Sequence, residues 1–497
     1  MMRTVKRIIL AALACTTSVN AYAQSSIPAP VDGDAKVDAL IRVLVNRGTI
    51  TAAEGRELLD ATRTEPAAPM QGTSVAVAQT PPPEPAAPAT RRPPQPSAAS
   101  PRAPSAADLA AAARKDGLTV DWKGGAPRFI SPGGFSFKPR GRILVDADTT
   151  TGSRFDDRNI TTTGARALRF GFQGTYGQNI LYQVEADFSD TAEITSAYVG
   201  WRQKLTEKVT TELDVGSRLT ERGLEGSSGS DQVPFMERNA VGIGLVPLKG
   251  FYGLGLTSKT FGPNWHVAAM VVGDGVDGNY AVSDTLTTMV RGHWNPIKVA
   301  DGFVHVGGWG YREGFSPAVT ALSLSVRQAN RFNTTVRVLS GPLSNPDHAY
   351  AYGAELGGGY RNLWAFGEYG RRVVSYRTGA AATPLAAWAL SAGWMVTGEN
   401  VPFDTRTGLY TTVDVAHPLD KGGLGALGLV VRYDGIDYSD APLGGESKTL
   451  TLGANWYLNN IVRIMLNYTH ADLTNRTGPY VGNDTTDTFA TRFQISF

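Results

Sequence analysis

The last seven residues, Thr491 to Phe497, alternate strictly in polarity. Phe493, Ile495 and Phe497 fall on one face of an extended strand, and Arg492, Gln494 and Ser496 on the other. An apolar face on a closing strand is accommodated if that face meets lipid while the polar face meets water. The same two-residue period recurs upstream. Tyr182, Val184, Ala186 and Phe188 oppose Gln183, Glu185 and Asp187, and Phe332, Thr334, Val336 and Val338 oppose Arg331, Asn333, Thr335 and Arg337. Leu427, Leu429, Val431 and Tyr433 oppose Val430, Arg432 and Asp434. Leu450, Leu452, Ala454, Trp456 and Leu458 oppose Thr451, Gly453, Asn455 and Tyr457, and Val462, Ile464, Leu466 and Tyr468 oppose Arg463, Met465, Asn467 and Thr469. Strands of this kind approach the ~9–11 residues that cross a bilayer with tilt. Trp201, Trp309, Trp364, Trp394, Trp456, Tyr410, Tyr433 and Tyr468 stand near strand ends, as interfacial girdles require. At roughly 23 residues per strand and connection, residues 129–497 supply about sixteen strands, enough for an aqueous lumen. The expected fold class is an all-β transmembrane antiparallel barrel.

The residues ahead of the barrel divide into three parts. Arg3, Lys6 and Arg7, an apolar stretch from Ile8 to Ala14, and Ala21-Tyr22-Ala23 form a secretory signal, with cleavage expected after Ala23. The only cysteine, Cys15, lies inside it, so the exported chain has no disulfide. Residues 24–64 read as a small α-helical hairpin. Val37, Leu40, Ile41, Leu44 and Val45 share one helical face, Gly48 suits a helix end, and Thr51 to Glu54 form a capping box. Such a unit is too small to be stable alone, which suggests a tethered pair of helices or an assembly element for a periplasmic partner. Residues 65–128 are a Pro/Ala-rich linker, with twelve prolines between Glu65 and Ala107 and a short helix over Asp108 to Lys115.

Charge restricts the function further. The whole chain carries 47 Lys+Arg against 45 Asp+Glu; removing the three basic residues of the signal leaves 44 against 45, a net of −1. That balance argues against a nucleic-acid partner, so any basic function is local to one surface or cavity. The histidines at 266, 293, 305, 348, 417 and 470 are scattered, without ligand spacing, and read as girdle or loop residues. Gly226-Ser227-Ser228-Gly229 is one residue short of a nucleophile elbow, and Gly242-Ile243-Gly244 lacks the third glycine of a dinucleotide loop. No enzyme, metal or cofactor is expected.

Several segments, in order, resemble the phosphate-selective porin O/P family. Phe137 to Asp146 is similar to its first barrel strand, with Gly-Arg-x-x-x-Asp at Gly141 to Asp146. Leu168 to Phe188, ending Glu-x-Asp-Phe, resembles the next hairpin. Trp394 to Glu399 looks like its Thr-Gly-Glu strand end, and Arg432 to Asp437, Leu452 to Asn459 and Asn467-Tyr468 resemble its last strands. The resemblance spans nearly all of residues 135–497. It implies a homotrimeric, sixteen-stranded channel in the outer membrane of a Gram-negative bacterium, with its N-terminal region in the periplasm, in contact with outer-membrane lipid and preferring small anions, phosphate or polyphosphate among them. After the strand Val209–Gly216, many members continue with Gly-x-x-Lys-x-Pro-Phe. Here Gly216 to Gly223 lacks the lysine and the Pro-Phe, while the later Glu237-Arg238 matches. The loop that folds into the pore is therefore expected over Glu221 to Glu237. The alternatives are a general, non-selective porin and a barrel with an envelope-anchoring role.

An anion channel replaces part of a solute's hydration with Arg and Lys donors, and arginine's planar fork suits phosphate. Parity places Arg169, Arg327, Arg331, Arg337, Arg432, Arg463 and Arg492 on lumen faces, and Arg218, Arg222 and Arg238 flank the inward loop. A subset of these is the expected anion pathway, against the simpler role of pairing with Glu185, Asp187 and Asp434 to brace the wall. Phe493, Ile495 and Phe497 form the expected membrane-insertion strand.

Overall fold

The structure, a computed structural model, describes residues 117–122, 125–276, 286–328 and 330–497. The expected signal peptide, the helical hairpin and most of the linker lie outside the described residues. Two short strands lead in, β1 (Thr119–Asp121) and β2 (Arg128–Ile130); β1 pairs with β2, and β2 pairs with the start of the first barrel strand. Ordered strand structure thus begins within the segment read as linker.

Sixteen antiparallel strands then form the wall. They are β3 (Ser136–Thr151), β4 (Thr161–Tyr176), β5 (Ile180–Asp187), β6 (Glu193–Lys204), β7 (Thr210–Leu219), β8 (Tyr252–Phe261), β9 (Trp265–Val272), β10 (Thr287–Val299) and β11 (Gly302–Gly314). A hairpin outside the wall, β12 (Ala321–Arg327) and β13 (Arg337–Ser344), precedes β14 (Pro346–Tyr360), β15 (Leu363–Tyr376) and β16 (Thr383–Met395). Two further short strands, β17 (Phe403–Asp404) and β18 (Leu409–Tyr410), precede β19 (Ala426–Asp437), β20 (Glu446–Tyr457), β21 (Val462–Asn475) and β22 (Gly482–Ser496). The last strand pairs with the first, with Arg492 opposite Asp146 and Phe493 opposite Val145. Closure leaves no strand edge in lipid, where an unpaired backbone group would cost several kcal/mol. Phe497 completes the seam through two backbone bonds with Gly141, of 2.9 and 3.0 Å. Gly141 has to be glycine, because a Cβ there would stand 2.8 Å from the Phe497 ring and 2.9 Å from the Arg169 carbonyl.

The period-2 pattern orients the wall as the sequence requires. On β19, Leu429, Val431 and Tyr433 are each about two-fifths exposed on the outside, whereas Arg432 and Asp434 are buried in the interior. The same holds for Leu450, Leu452 and Trp456 on β20, Leu466 on β21 and Phe493 on β22, all exposed outward. Trp201, Trp394 and Tyr433 are outward too, as girdle residues should be.

Three of the expected girdle aromatics are elsewhere. Trp309 and Trp364 point into the lumen, and Tyr410 belongs to an inserted connection; all three are buried. Gly353 and Gly370 form the floor under Trp309, since a Cβ at either would lie within 3 Å of the indole. The alternating segment at Arg331 to Val338 is likewise not a wall strand. It contains the turn of the β12–β13 hairpin and the start of β13. A hairpin packed over a mouth has the same period as a strand in the wall, so alternation alone does not separate them.

The connections alternate between short turns at one end, such as 177–179, 262–264, 300–301 and 361–362, and longer loops at the other. In outer-membrane barrels the short turns face the periplasm. Residues 396–425 break the rule. This long connection joins β16 to β19 at the short-turn end and folds upward into the lumen.

Candidate functional site

Residues 220–251, between β7 and β8, turn inward and divide the lumen. The segment leaves the wall at Gly223, whose φ of 71° suits a residue without a side chain. Two helical turns follow, α1 (Leu224–Ser227) and α2 (Ala240–Gly244); Asn239 caps α2 by accepting a hydrogen bond from Gly242 N at 2.8 Å.

The loop is held across the barrel by charged groups on distant strands. Glu368 Oε1 accepts from Leu224 N at 2.6 Å, and Asp434 accepts from Ala240 N at 2.9 Å. Arg432 reaches Glu225 at 3.3 Å and the Glu237 carbonyl at 3.0 Å. Arg463 donates to the carbonyls of Val233 and Asp231, and Arg492 donates to that of Met236 at 2.6 Å while forking onto both oxygens of Asp146 at 2.7 Å. Arg222 is wholly buried, donates to the Gly242 carbonyl at 2.6 Å and lies over the Phe251 ring. Burial, with Arg238 adding, lowers its pKa to about 9. These arginines face inward, but their donors are spent on the loop. Arg222, Arg432 and Arg463 therefore brace the loop.

A second set surrounds open space. On the long-loop side, a cavity of about 650 Å³ is lined by Arg166, Arg169, Arg238, Arg327, Arg331, Arg337 and Lys249 together with Asp187, Asp190, Glu193 and Glu237. Seven basic side chains thus face four carboxylates, an excess of three positive charges. Arg169 is paired with Asp187 at 2.7 Å and donates to the Tyr252 hydroxyl at 2.6 Å; Arg166 is paired with Glu237 at 2.9 Å. Among the described residues, Arg327, Arg331 and Arg337 have no carboxylate within ion-pair distance; Arg238 has none either, but it donates to the loop carbonyls of Glu225 and Ser228 at 2.8 and 2.7 Å and so is held by the loop, as Arg463 is. Burial, opposed in part by Tyr252 and reinforced by Arg166 and Arg169, lowers the Arg238 pKa to about 10, so the group remains cationic at neutral pH. Burial lowers Arg331 as well, with Arg166 adding to the effect. Glu237 stays below the usual carboxylate range: burial opposes it, but Arg166 and Arg492 outweigh that. Lys249, at the rim, donates to the carbonyls of Val272 and Gly273, and burial brings its pKa down to about 8.

Below the loop the charged path continues along β3, β4 and β5. Arg140 is paired with Glu185 at 2.8 Å, and Arg142 and Arg169 stand 3.6 and 3.5 Å from the same carboxylate. Arg218 pairs with Asp214 and covers the Tyr198 ring. A lower cavity of about 240 Å³, lined by Arg128, Lys138 and Arg202 with Gln173, Tyr182 and Tyr198, opens at the short-turn side. The opposite side of the lumen is filled. Val401, Phe403 and Tyr410 of the inserted connection pack with Leu224, Val233 and Phe235 of the inward loop and with Phe303, Trp364, Phe366 and Val430 of the wall. The interior is therefore not polar throughout, as the sequence reading had it; an apolar plug fills part of the lumen beside β11, β15 and β19.

Of the arginines singled out from sequence, Arg169, Arg238, Arg327, Arg331 and Arg337 meet at the upper cavity, and Arg218 lies beside the lower path. Arg140, Arg142, Arg166, Lys138, Lys249, Arg128 and Arg202 were missed. Arg140 and Arg142 sit in the first-strand motif, and their inward parity with Asp146 was the available signal. The loop residues carried no periodic signal.

A closed barrel with a lipid-compatible exterior, a charged water path and an inward loop that narrows it defines an outer-membrane channel of the porin class. The family model for phosphate-selective porin O and P matches residues 137–497, and the chain belongs to that family. It is 25% identical over 441 residues to Porin O of Pseudomonas aeruginosa, covering 79% of this chain and 96% of that protein. It is 26% identical over 390 residues to an uncharacterized protein of Caulobacter vibrioides, with 70% and 71% covered. Among solved structures it is similar to OmpT of Vibrio cholerae in its trimer form, with a TM-score of 0.47, 13% identity and coverage of 73% and 99%. It is also similar to an anion-selective porin from Comamonas acidovorans, with a TM-score of 0.43, 10% identity and coverage of 73% and 100%. Family and fold indicate a channel rather than an enzyme.

Proposed function

We propose that this porin passes small anions, with phosphate and related oxyanions the solutes its chemistry fits best. One observation carries the reading: three arginines without carboxylate partners and without bonds to the inward loop, Arg327, Arg331 and Arg337, line one cavity whose side chains sum to an excess of positive charge. A guanidinium offers paired donors to an oxyanion, stays charged, and loses less hydration than an ammonium when it binds. The anion enters among these arginines, passes the inward loop beside Arg169, Arg142 and Arg140, and leaves past Lys138, Arg128 and Arg202. The ion pairs along the wall keep the path from holding an anion too tightly, since conduction needs release as well as capture. Membership of the phosphate-selective porin O and P family supports the phosphate assignment. The same reading places residues 24–115 in the periplasm, available to a partner there, and takes the working unit as a homotrimer.

Reconstituted protein in a planar bilayer tests this directly. A KCl gradient should give a reversal potential of the anion-selective sign, and added phosphate should reduce the chloride current. A cation-selective sign refutes the anion path. Anion selectivity without phosphate block leaves a general anion pore.

A further inference from the structure

Three histidines that looked scattered in sequence meet inside the barrel. The β9–β10 register sets His266 opposite His293. Their rings lie 4.7 Å apart, with His305 stacked on His293 at 5.2 Å. All three are buried. The group is the junction of both inserted segments: Glu221 opens the inward loop, and Thr405, Thr407 and Gly408 belong to the connection 396–425. Gly408 presses on the His293 ring, so that a Cβ there would stand 2.5 Å from it.

The hydrogen bonds determine where the ring protons are. His293 Nε2 faces the Thr405 carbonyl at 3.0 Å. A carbonyl only accepts, so His293 carries its proton on Nε2 and its Nδ1 is an acceptor. His266 Nδ1 meets that Nδ1 directly, and so must be the donor. The remaining nitrogen, His266 Nε2, then carries a bare lone pair. It points at Glu221 Oε2, 3.8 Å away, a buried oxygen that no described group donates to. Two buried acceptors thus face one another with a single proton missing between them.

The surrounding charges are balanced without that proton. From β8, Lys259 donates to Glu221 Oε1; from β10, Arg291 forks onto Glu355 of β14 at 2.8 Å and stands 3.8 Å from Glu221. His305 of β11 faces Glu355 at 3.0 Å. Glu368 of β15 is turned to the inward loop, and Asp404 and Arg406 of the inserted connection bond within their own turn, with Arg406 over the Phe261 ring.

We infer that His266 and Glu221 form a proton-binding site that anchors the stem of the inward loop to β9. When a proton binds at His266 Nε2, the facing acceptors become a charge-assisted N–H···O contact, Glu221 is drawn toward β9, and the loop is steadied across the lumen. The channel then becomes quieter as the medium is acidified, whichever ion carries the current.

Single-channel recording of the full-length protein from pH 8 to pH 4 tests this. The frequency of current interruptions should fall roughly tenfold over that range, the factor one charge-assisted hydrogen bond supplies. His266→Gln, whose amide can donate to Glu221 at any pH, should be quiet throughout; His266→Phe should remain noisy throughout; His348→Gln, on an outward strand face, should keep the wild-type response. The inference is overturned if wild-type interruptions do not change with pH, or if the pH response survives in His266→Gln.

Discussion

Replacing Arg327, Arg331 and Arg337 together by glutamine removes three of the seven basic groups around the upper cavity, and the lining excess of three positive charges disappears. The effect can be scaled from Coulomb's law. A unit charge about 4 Å from a permeant ion is worth about 1 kcal/mol in water and more beside a low-dielectric wall. Screening at physiological ionic strength, with a Debye length of about 8 Å, leaves most of that at contact and little beyond the cavity. At about 0.5 kcal/mol retained per arginine, the triple variant loses about 1.5 kcal/mol of anion preference, and cations gain a similar amount. The anion-to-cation permeability ratio should therefore fall by at least tenfold. None of the three bonds to the inward loop, so the barrel and its constriction should be unchanged; their polar contacts run to Arg166 O, Thr334 O and Ser325. The measurement is the reversal potential across a tenfold KCl gradient, with Arg463→Gln, a brace, as the comparison. A triple variant that keeps the wild-type reversal potential would refute the assignment of these arginines to the ion path.

Three further outcomes follow from the geometry. Lys249 loses its proton as pH rises through about 8, so anion preference should decline between pH 7 and pH 9.5 in the wild type but not in Lys249→Arg, as read by reversal potential. Replacing residues 401–415 with a short turn removes Val401, Phe403 and Tyr410 from the apolar plug, and single-channel conductance should rise, roughly doubling; an unchanged conductance would mean the plug lies off the water path. Arg492→Ala strands the buried Asp146 carboxylate and should cost about 3–5 kcal/mol in denaturant unfolding from detergent, whereas Arg492→Met with Asp146→Leu should recover most of it.

The wall was legible because its cause is local. Each residue of β5, β19 or β22 faces either lipid or lumen, and the choice is written in alternate positions of the same short segment. The inward loop was legible at its start, near Glu221, but not at its end, which lies at Phe251 rather than Glu237, nor in its contacts. Arg432 and Arg463 have the same inward parity as Arg169, yet they are braces because Glu225 and the carbonyls of Val233 and Asp231 happen to reach them from a segment some two hundred residues away in sequence. Trp364 and Tyr410 show the converse: aromatic residues that a place near strand ends assigns to a membrane girdle are drawn inside by an apolar cluster no single strand encodes. The histidine group is invisible in spacing, since it exists only through the register of β9, β10 and β11.

Sequence alone therefore determined a closed, exported barrel of about sixteen strands with arginines turned inward, because pleat period and the difference between lipid and water act on neighbouring residues. The tertiary structure alone decided which arginines are free of loop and carboxylate partners, where an apolar cluster fills the lumen, and where a proton is missing. Those properties depend on two long connections entering from opposite ends and on the partners they meet across the barrel, distances that no local pattern carries.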